Sequence, residues 1–254
     1  MSPAPSPTEP RSLLVSAAVI LALLLAQNSA TIVAGLPSSF PYSRALLATL
    51  TDIGAMLLLV GLAASRTPSQ LIRMSGIDRS PVRPLLFAAL LFGPALAVAL
   101  ALAPVAQGLL PEDLIWKGLA GPLFEELVYR GLAAPALVLL AGWRLVPAAQ
   151  LPAAFFGLAH AYQGVNLPEV MGAVAITGIG AFWFAWLFWR WSWNLWPAIL
   201  LHMGLNLLWM VFDLGESAVG GWLGNALRAA VVLGSILLTL RLVQSPRRAV
   251  PARA

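Results

Sequence analysis

The sequence predicts an all-α fold, a polytopic membrane protein built as a bundle of about eight transmembrane helices. Three observations carry that prediction. Hydrophobic residues make up 60% of the 254 and charged residues only 10%, against roughly a quarter charged in ordinary soluble domains. A water-soluble fold of this size would lack the polar surface to cover itself. The mean hydropathy is +0.86, and the apolar residues fall in runs long enough, or nearly so, to cross ~30 Å of hydrocarbon at ~1.5 Å per residue. The runs lack the two-residue alternation of a barrel. In lipid, only a helix otherwise satisfies its own backbone. Cysteine is absent, which excludes disulfides, thiolate metal sites and a cysteine nucleophile.

Residues 1–10 are rich in Pro and Ser and read as a disordered tail. The transmembrane domain is expected over 11–243 and a basic cytoplasmic tail over 244–254. The apolar runs lie near Leu13–Val33, Ala45–Ala64, Leu85–Ala106, Leu114–Leu140, Leu145–Ala161, Val170–Trp189, Trp193–Phe212 and Trp222–Val243. The first exceeds a signal-peptide core and lacks a clear small-x-small cleavage site, so it reads as a retained helix. The stretch Arg66–Pro84 is the longest polar loop, and six Trp between Trp183 and Trp196 read as an interfacial aromatic belt rather than a substrate-stacking surface.

Basic residues orient the bundle. With eight crossings and a cytoplasmic N-terminus, eleven Arg fall on the cytoplasmic side, against Arg44, Lys117 and Arg228 outside. Both termini are thus expected in the cytoplasm, with the chain in the plasma (inner) membrane. These flanks account for most of the net charge of +5, so the lipid bilayer is the expected neighbour and nucleic acid is not.

The fourth run holds Glu125, Glu126 and Arg130 in the middle of an apolar helix. Each ionised group at that depth costs roughly 2.5–3.5 kcal/mol, of order 8–10 kcal/mol for three uncompensated ones. They must face the interior and meet partners. Glu126 and Arg130 are four apart and can pair. Glu125 is rotated by roughly 100° and points elsewhere. That assigns Glu126–Arg130 as a structural ion pair and Glu125 as a functional carboxylate. The alternative is one structural cluster of all three.

The chain has two histidines. His160 ends the fifth run. His202 lies within the seventh, four residues before Asn206 on one helix face. Glu125 and His202 come out near the midplane, ~16 Å and ~14 Å from their helix ends, while His160 comes out shallower. Peptide hydrolysis needs an activated water, a proton donor for the amine and donors for the oxyanion. Glu125 with His160 is suited to the water, and His202 with Asn206 to the oxyanion. This scheme needs no metal and is favoured. A zinc ion held by Glu125, His160 and His202 is the other possibility, since two His and a Glu leave an open position. There is no His-Glu-x-x-His signature and no Gly-x-Ser-x-Gly elbow. Asp52, a further intramembrane carboxylate, reads as structural.

The set Glu125-Glu126-x-x-x-Arg130, Phe156-x-x-x-His160 and His202-x-x-x-Asn206 resembles the CPBP family. These are the CAAX-protease and bacteriocin-processing (Abi) intramembrane endopeptidases. The resemblance covers roughly 110–210. It implies an eight-helix fold with a polar cavity and proteolysis of a membrane-associated protein or peptide, prenylated or not. It also implies water activation by Glu125 and His160, and an oxyanion hole from His202 and Asn206. Two other classes remain. One is a proton-coupled transporter, since intramembrane acids and His also mark proton relays. The other is a non-catalytic immunity or scaffold protein on the same fold.

Overall fold

The computed structural model describes residues 9–214 and 221–243. Of the tail expected over 1–10, residues 1–8 lie outside the described residues, as does the basic tail at 244–254, while Glu9 and Pro10 already belong to the first helix. Among the described residues the chain is all α, apart from a single isolated bridge between Val105 and Phe212.

Ten helices are present among the described residues. They are α1 (Glu9–Ala26), α2 (Ser29–Val33), α3 (Ser43–Ala64), α4 (Pro68–Met74), α5 (Val82–Leu102), α6 (residues 111–140), α7 (Leu145–Ala159), α8 (Leu167–Arg190), α9 (Trp196–Val211) and α10 (Trp222–Leu242). Five are long and apolar enough to cross a membrane: α1, α3, α5, α8 and α10. Each expected apolar run carries a helix, but those on the fifth and seventh runs have only 15 and 16 residues, and two other departures stand out.

The first run is split. Its helix stops at Ala26 and a short turn of helix follows from Ser29. Polar side chains at the break take up backbone groups: Gln27 Nε2 donates to the Phe155 carbonyl at 2.9 Å and Asn28 Nδ2 to the Leu24 carbonyl at 2.9 Å. The second departure is α4, inside the stretch read as a polar loop. Thr67 caps it, accepting from the Gln70 amide, while the Gln70 side chain accepts from the Thr67 amide at 2.9 Å. This reciprocal box, with Pro68 in the first turn, starts a helix without any apolar run.

The core is divided. One cluster packs α1, α3 and α6 with α7, α8 and the start of α9 around Val19, Leu23, Met56, Leu132, Leu137 and Phe188. A second joins α5, α8, α9 and α10 around Phe87, Leu187, Leu201 and Val231. The α7–α8 pair is the closest packed. A Cβ on Gly157 would lie 2.7 Å from the Val174 carbonyl oxygen and 3.2 Å from the Gly178 Cα. Only glycine lets these backbones approach so nearly. The Trp cluster does not form a lipid-facing belt throughout. Trp183, Trp189 and Trp193 are buried. Trp183 donates to Ser235 Oγ and Trp191 to Thr239 Oγ1, both at 3.1 Å, tying α8 to α10. The Trp183 and Trp191 indole N–H groups thus find partners inside the protein rather than at a headgroup layer.

Candidate active site

The site grows from an unusual winding of α6. The Gly121 amide bonds the Trp116 carbonyl and the Ala134 amide bonds Tyr129, each five residues back. Wide turns thus flank the ordinary turn Gly121–Glu126 that carries both glutamates, a departure often found at functional sites. In such a winding the carbonyl opposite residue 122 belongs to Lys117. Residue 122 is proline and has no N–H to offer. The Lys117 carbonyl instead accepts from Asn206 Nδ2 at 2.9 Å, which fixes Asn206 of α9 against α6.

Glu126 is fully buried, and so in effect is Arg130, at 1% exposure. Arg130 Nε donates to Glu126 Oε2 at 2.6 Å and Nη2 donates to Oε1. The guanidinium lies 4.5 Å from the Phe156 ring centroid and 5.6 Å from that of Phe184. The ion pair expected from the i,i+4 spacing is therefore present, and aromatic faces share the cation's burial.

Glu126 also holds His202, a contact that the helical spacing did not foretell. His202 Nδ1 lies 2.8 Å from Glu126 Oε1, and Nε2 lies 3.8 Å from Glu125 Oε2. The two adjacent glutamates thus flank opposite nitrogens of one imidazole. The Phe184 ring stacks on it at 5.3 Å, and Phe156 meets it edge-on at 6.1 Å. Glu126 is committed to Arg130 as a carboxylate, so Nδ1 carries the proton that it accepts.

His160 is the residue following the last turn of α7. That helix has only 15 residues, ~22 Å at ~1.5 Å per residue. It is short of a full bilayer crossing, and His160 at its end lines the same cavity as Glu125 and His202. His160 Nδ1 lies 2.7 Å from the Phe156 carbonyl oxygen and therefore donates to it. Its ring packs 4.4 Å from the Phe156 ring. Phe156 is accordingly the wedge between the two imidazoles.

Glu125, His160, His202 and Asn206 line one cavity of about 770 Å³, with Trp116 and Trp183 among its walls. Glu125 is 38% exposed and His202 11%, so the carboxylate reaches open space while the imidazole is held. Among the described residues no three His, Asp or Glu side chains come together as a metal-holding group. The set Glu125, His160 and His202 shares a cavity without closing to ligand geometry, so it does not fit zinc as arranged. Asp52 sits apart on α3, its Oδ1 buried without a hydrogen-bond partner.

Residues 108–208 match the family model Rce1-like, type II CAAX prenyl endopeptidase. That range coincides with the 110–210 segment on which the CPBP resemblance rests, and it contains α6 through most of α9. No curated protein and no solved structure matches the chain.

Proposed function

We propose that this chain, which carries an Rce1-like domain of the CAAX-protease family over residues 108–208, is an intramembrane endopeptidase acting on a membrane-associated protein or peptide. The observation that carries the reading is the shared cavity. Glu125, His160, His202 and Asn206 come from three helices and face one space. Ionisable groups so deep in an apolar bundle are costly unless they work.

The chemistry divides as follows. Glu125 and His160 bind a water and take its proton as the oxygen attacks the scissile carbonyl. The C–O bond forms, the C=O π electrons move to oxygen, and that charge meets donors from His202 Nε2 and the Asn206 amide. The proton then passes to the leaving nitrogen as the C–N bond breaks. Glu126 does not touch substrate. It positions His202 by accepting the Nδ1 proton, so Nε2 donates only as the imidazolium. Glu125 Oε2 lies 3.8 Å from that Nε2.

Eight crossings follow if α6, α7 and α9 span together with the five long apolar helices. The charge partition then puts both termini in the cytoplasm of the plasma membrane and the Lys117 end of the cavity at the outer face. The matched family's description names prenyl substrates; the proposed reaction itself needs only a peptide bond brought to the cavity. Proteomics of membrane fractions from cells with wild type or Glu125→Gln tests the reading. A protein that matures only with the wild type supports it. Identical processing in both strains overturns it. A transporter or scaffold reading has no structural observation of its own to recommend it.

A further inference from the structure

The hairpin of α7 and α8 carries almost no charge. Between Arg144 and Arg190 the sequence holds one charged side chain, Glu169. Both of its carboxylate oxygens are taken by the loop that joins the two helices. Oε2 accepts from the Val165 amide at 3.1 Å and Oε1 from Asn166 Nδ2 at 2.6 Å. The Glu169 amide in turn donates to Asn166 Oδ1 at 3.0 Å. The amides of Gln163 and Gly164 donate to the carbonyls of His160 and Ala161. Gly164 lets the chain fold back so closely; a Cβ there would fall 2.2 Å from the Val170 nitrogen. The loop is braced from within, and its one neighbouring charge is spent on that brace.

Its outward face is apolar. Val165 is 91% exposed, and Tyr162 and Leu167 are exposed beside it. These side chains are not isolated. Ala154, Leu158 and Tyr162 are exposed at four-residue steps along α7 and past its end. Leu167, Met171, Ala175 and Ile179 repeat the pattern on α8, a helix long and apolar enough to cross a membrane. The outward stripes of both helices therefore run without interruption onto the loop.

Helix length sets the depth of the tip. The two backbones meet at Gly157 and Gly178, each twelve residues from Leu145 or Arg190 at the other end of the hairpin, ~18 Å along the axis. Leu167 lies eleven residues beyond Gly178, a further ~16 Å. That places the tip close to the far edge of a ~30 Å hydrocarbon core. Irregular backbone at such a depth needs its polar groups met, and the brace meets those of Gln163, Gly164 and Val165.

We propose that the Tyr162–Leu167 loop is seated in the bilayer, with Val165 and Leu167 at the boundary between headgroups and acyl chains. Tyr162 and Gln163 also line the cavity, so this seat sets one rim of the cavity against lipid. Tyr162 is suited to the rim, having an apolar ring and a polar tip. The partner is a lipid surface held by apolar contact and not by headgroup charge, since the loop has no cation to offer. The inference goes beyond the endopeptidase reading and stands without it.

The chain has no cysteine, so single cysteines can carry a label. V165C and L167C probe the tip, with S69C on α4 and I179C within α8 as references. Each full chain receives an environment-sensitive fluorophore and is placed in phosphatidylcholine vesicles. The quenchers are lipids with a nitroxide high or low on the acyl chain, and iodide on both faces. Labels at positions 165 and 167 should be quenched severalfold more by the shallow nitroxide than the label on S69C, and severalfold less by iodide. The I179C label should prefer the deep nitroxide, which reports that the chain is inserted. Added anionic lipid should change none of this. Tip labels that follow S69C, open to iodide and untouched by nitroxide lipid, overturn the proposal. Shielding from both quenchers that is lost on dilution in lipid makes a second copy the occupant and overturns it too. Quenching that requires anionic lipid does the same. Either tip variant decides the outcome alone if the other fails to insert.

Discussion

Replacing Glu126 by Gln removes one negative charge and leaves Arg130 in place. The site shows what that costs. Glu126 accepts two bonds from Arg130 and one from His202, with no exposure to solvent. Arg130 would remain 1% exposed with its counter-charge gone. Breaking a buried pair in this way typically costs about 3–5 kcal/mol. Glu125→Gln should behave oppositely. Glu125 is 38% exposed and lies 3.8 Å from His202 Nε2, so stability should change by less than about 1 kcal/mol while cleavage is lost. Denaturant unfolding in detergent micelles, beside a peptide-cleavage assay, separates the two. A double replacement sharpens the test. Glu126→Leu with Arg130→Met removes both charges and should recover most of the stability. The unpartnered His202 Nδ1 would still cost about 1–3 kcal/mol. Activity should stay low, because His202 has lost its orienting bond. If Glu126→Gln unfolds at the same denaturant concentration as the wild type, the buried three-way contact is not what holds this site.

Four further outcomes follow from the geometry. Asn206→Ala should lower kcat by about 10²–10³-fold with little change in KM, as for a lost oxyanion donor; a pure KM effect would argue against that role. Pro122→Ala supplies a backbone N–H that competes for the Lys117 carbonyl, so activity should fall by about tenfold while thermal stability is kept or raised; unchanged kcat would separate Asn206 placement from this proline. Gly157→Val drives a side chain into the Val174 carbonyl and should destabilise by about 1–3 kcal/mol or more, with His160 displaced; native-like unfolding would contradict the tight α7–α8 contact. Asp113, one residue before the apolar part of α6, is held below the ordinary carboxylate range first by the Tyr42 hydroxyl and then by Lys117. Its tie to α3 is therefore present above the ordinary carboxylate pKa and is lost as pH falls through the lowered value. Tyr42→Phe removes that tie and should move the Asp113 titration to higher pH, read by NMR of labelled Asp; an unmoved titration would deny the Tyr42 contact.

The helices were legible where lipid sets the rule. Apolar length marked each long helix, because a chain in hydrocarbon has few other ways to satisfy its backbone. Hydropathy could not see α4, whose start lies in the cap residues Thr67 and Gln70. That signature was present in the sequence as Thr-Pro-Ser-Gln. Nor could it see the split after Ala26, where Gln27 bonds a residue 128 positions away. The ion pair Glu126–Arg130 follows from local helix spacing and was readable. The bond from Glu126 to His202 joins α6 to α9 and depends on how they pack, so local periodicity carries no sign of it. The same holds for Phe156 as the spacer between the two imidazoles. Spacing treated Glu125 and Glu126 as pointing apart, whereas they meet the same ring from its two nitrogens.

One measurement bears on the central claim most directly. The purified chain in vesicles is given a membrane-anchored peptide in water enriched in oxygen-18, and the fragments are weighed. Hydrolysis by activated water predicts one heavy oxygen in the newly formed carboxylate, a rate unchanged by a strong chelator, and no product from Glu125→Gln. Equal product from the Glu125→Gln protein, or loss with chelator that added zinc restores, would contradict the account.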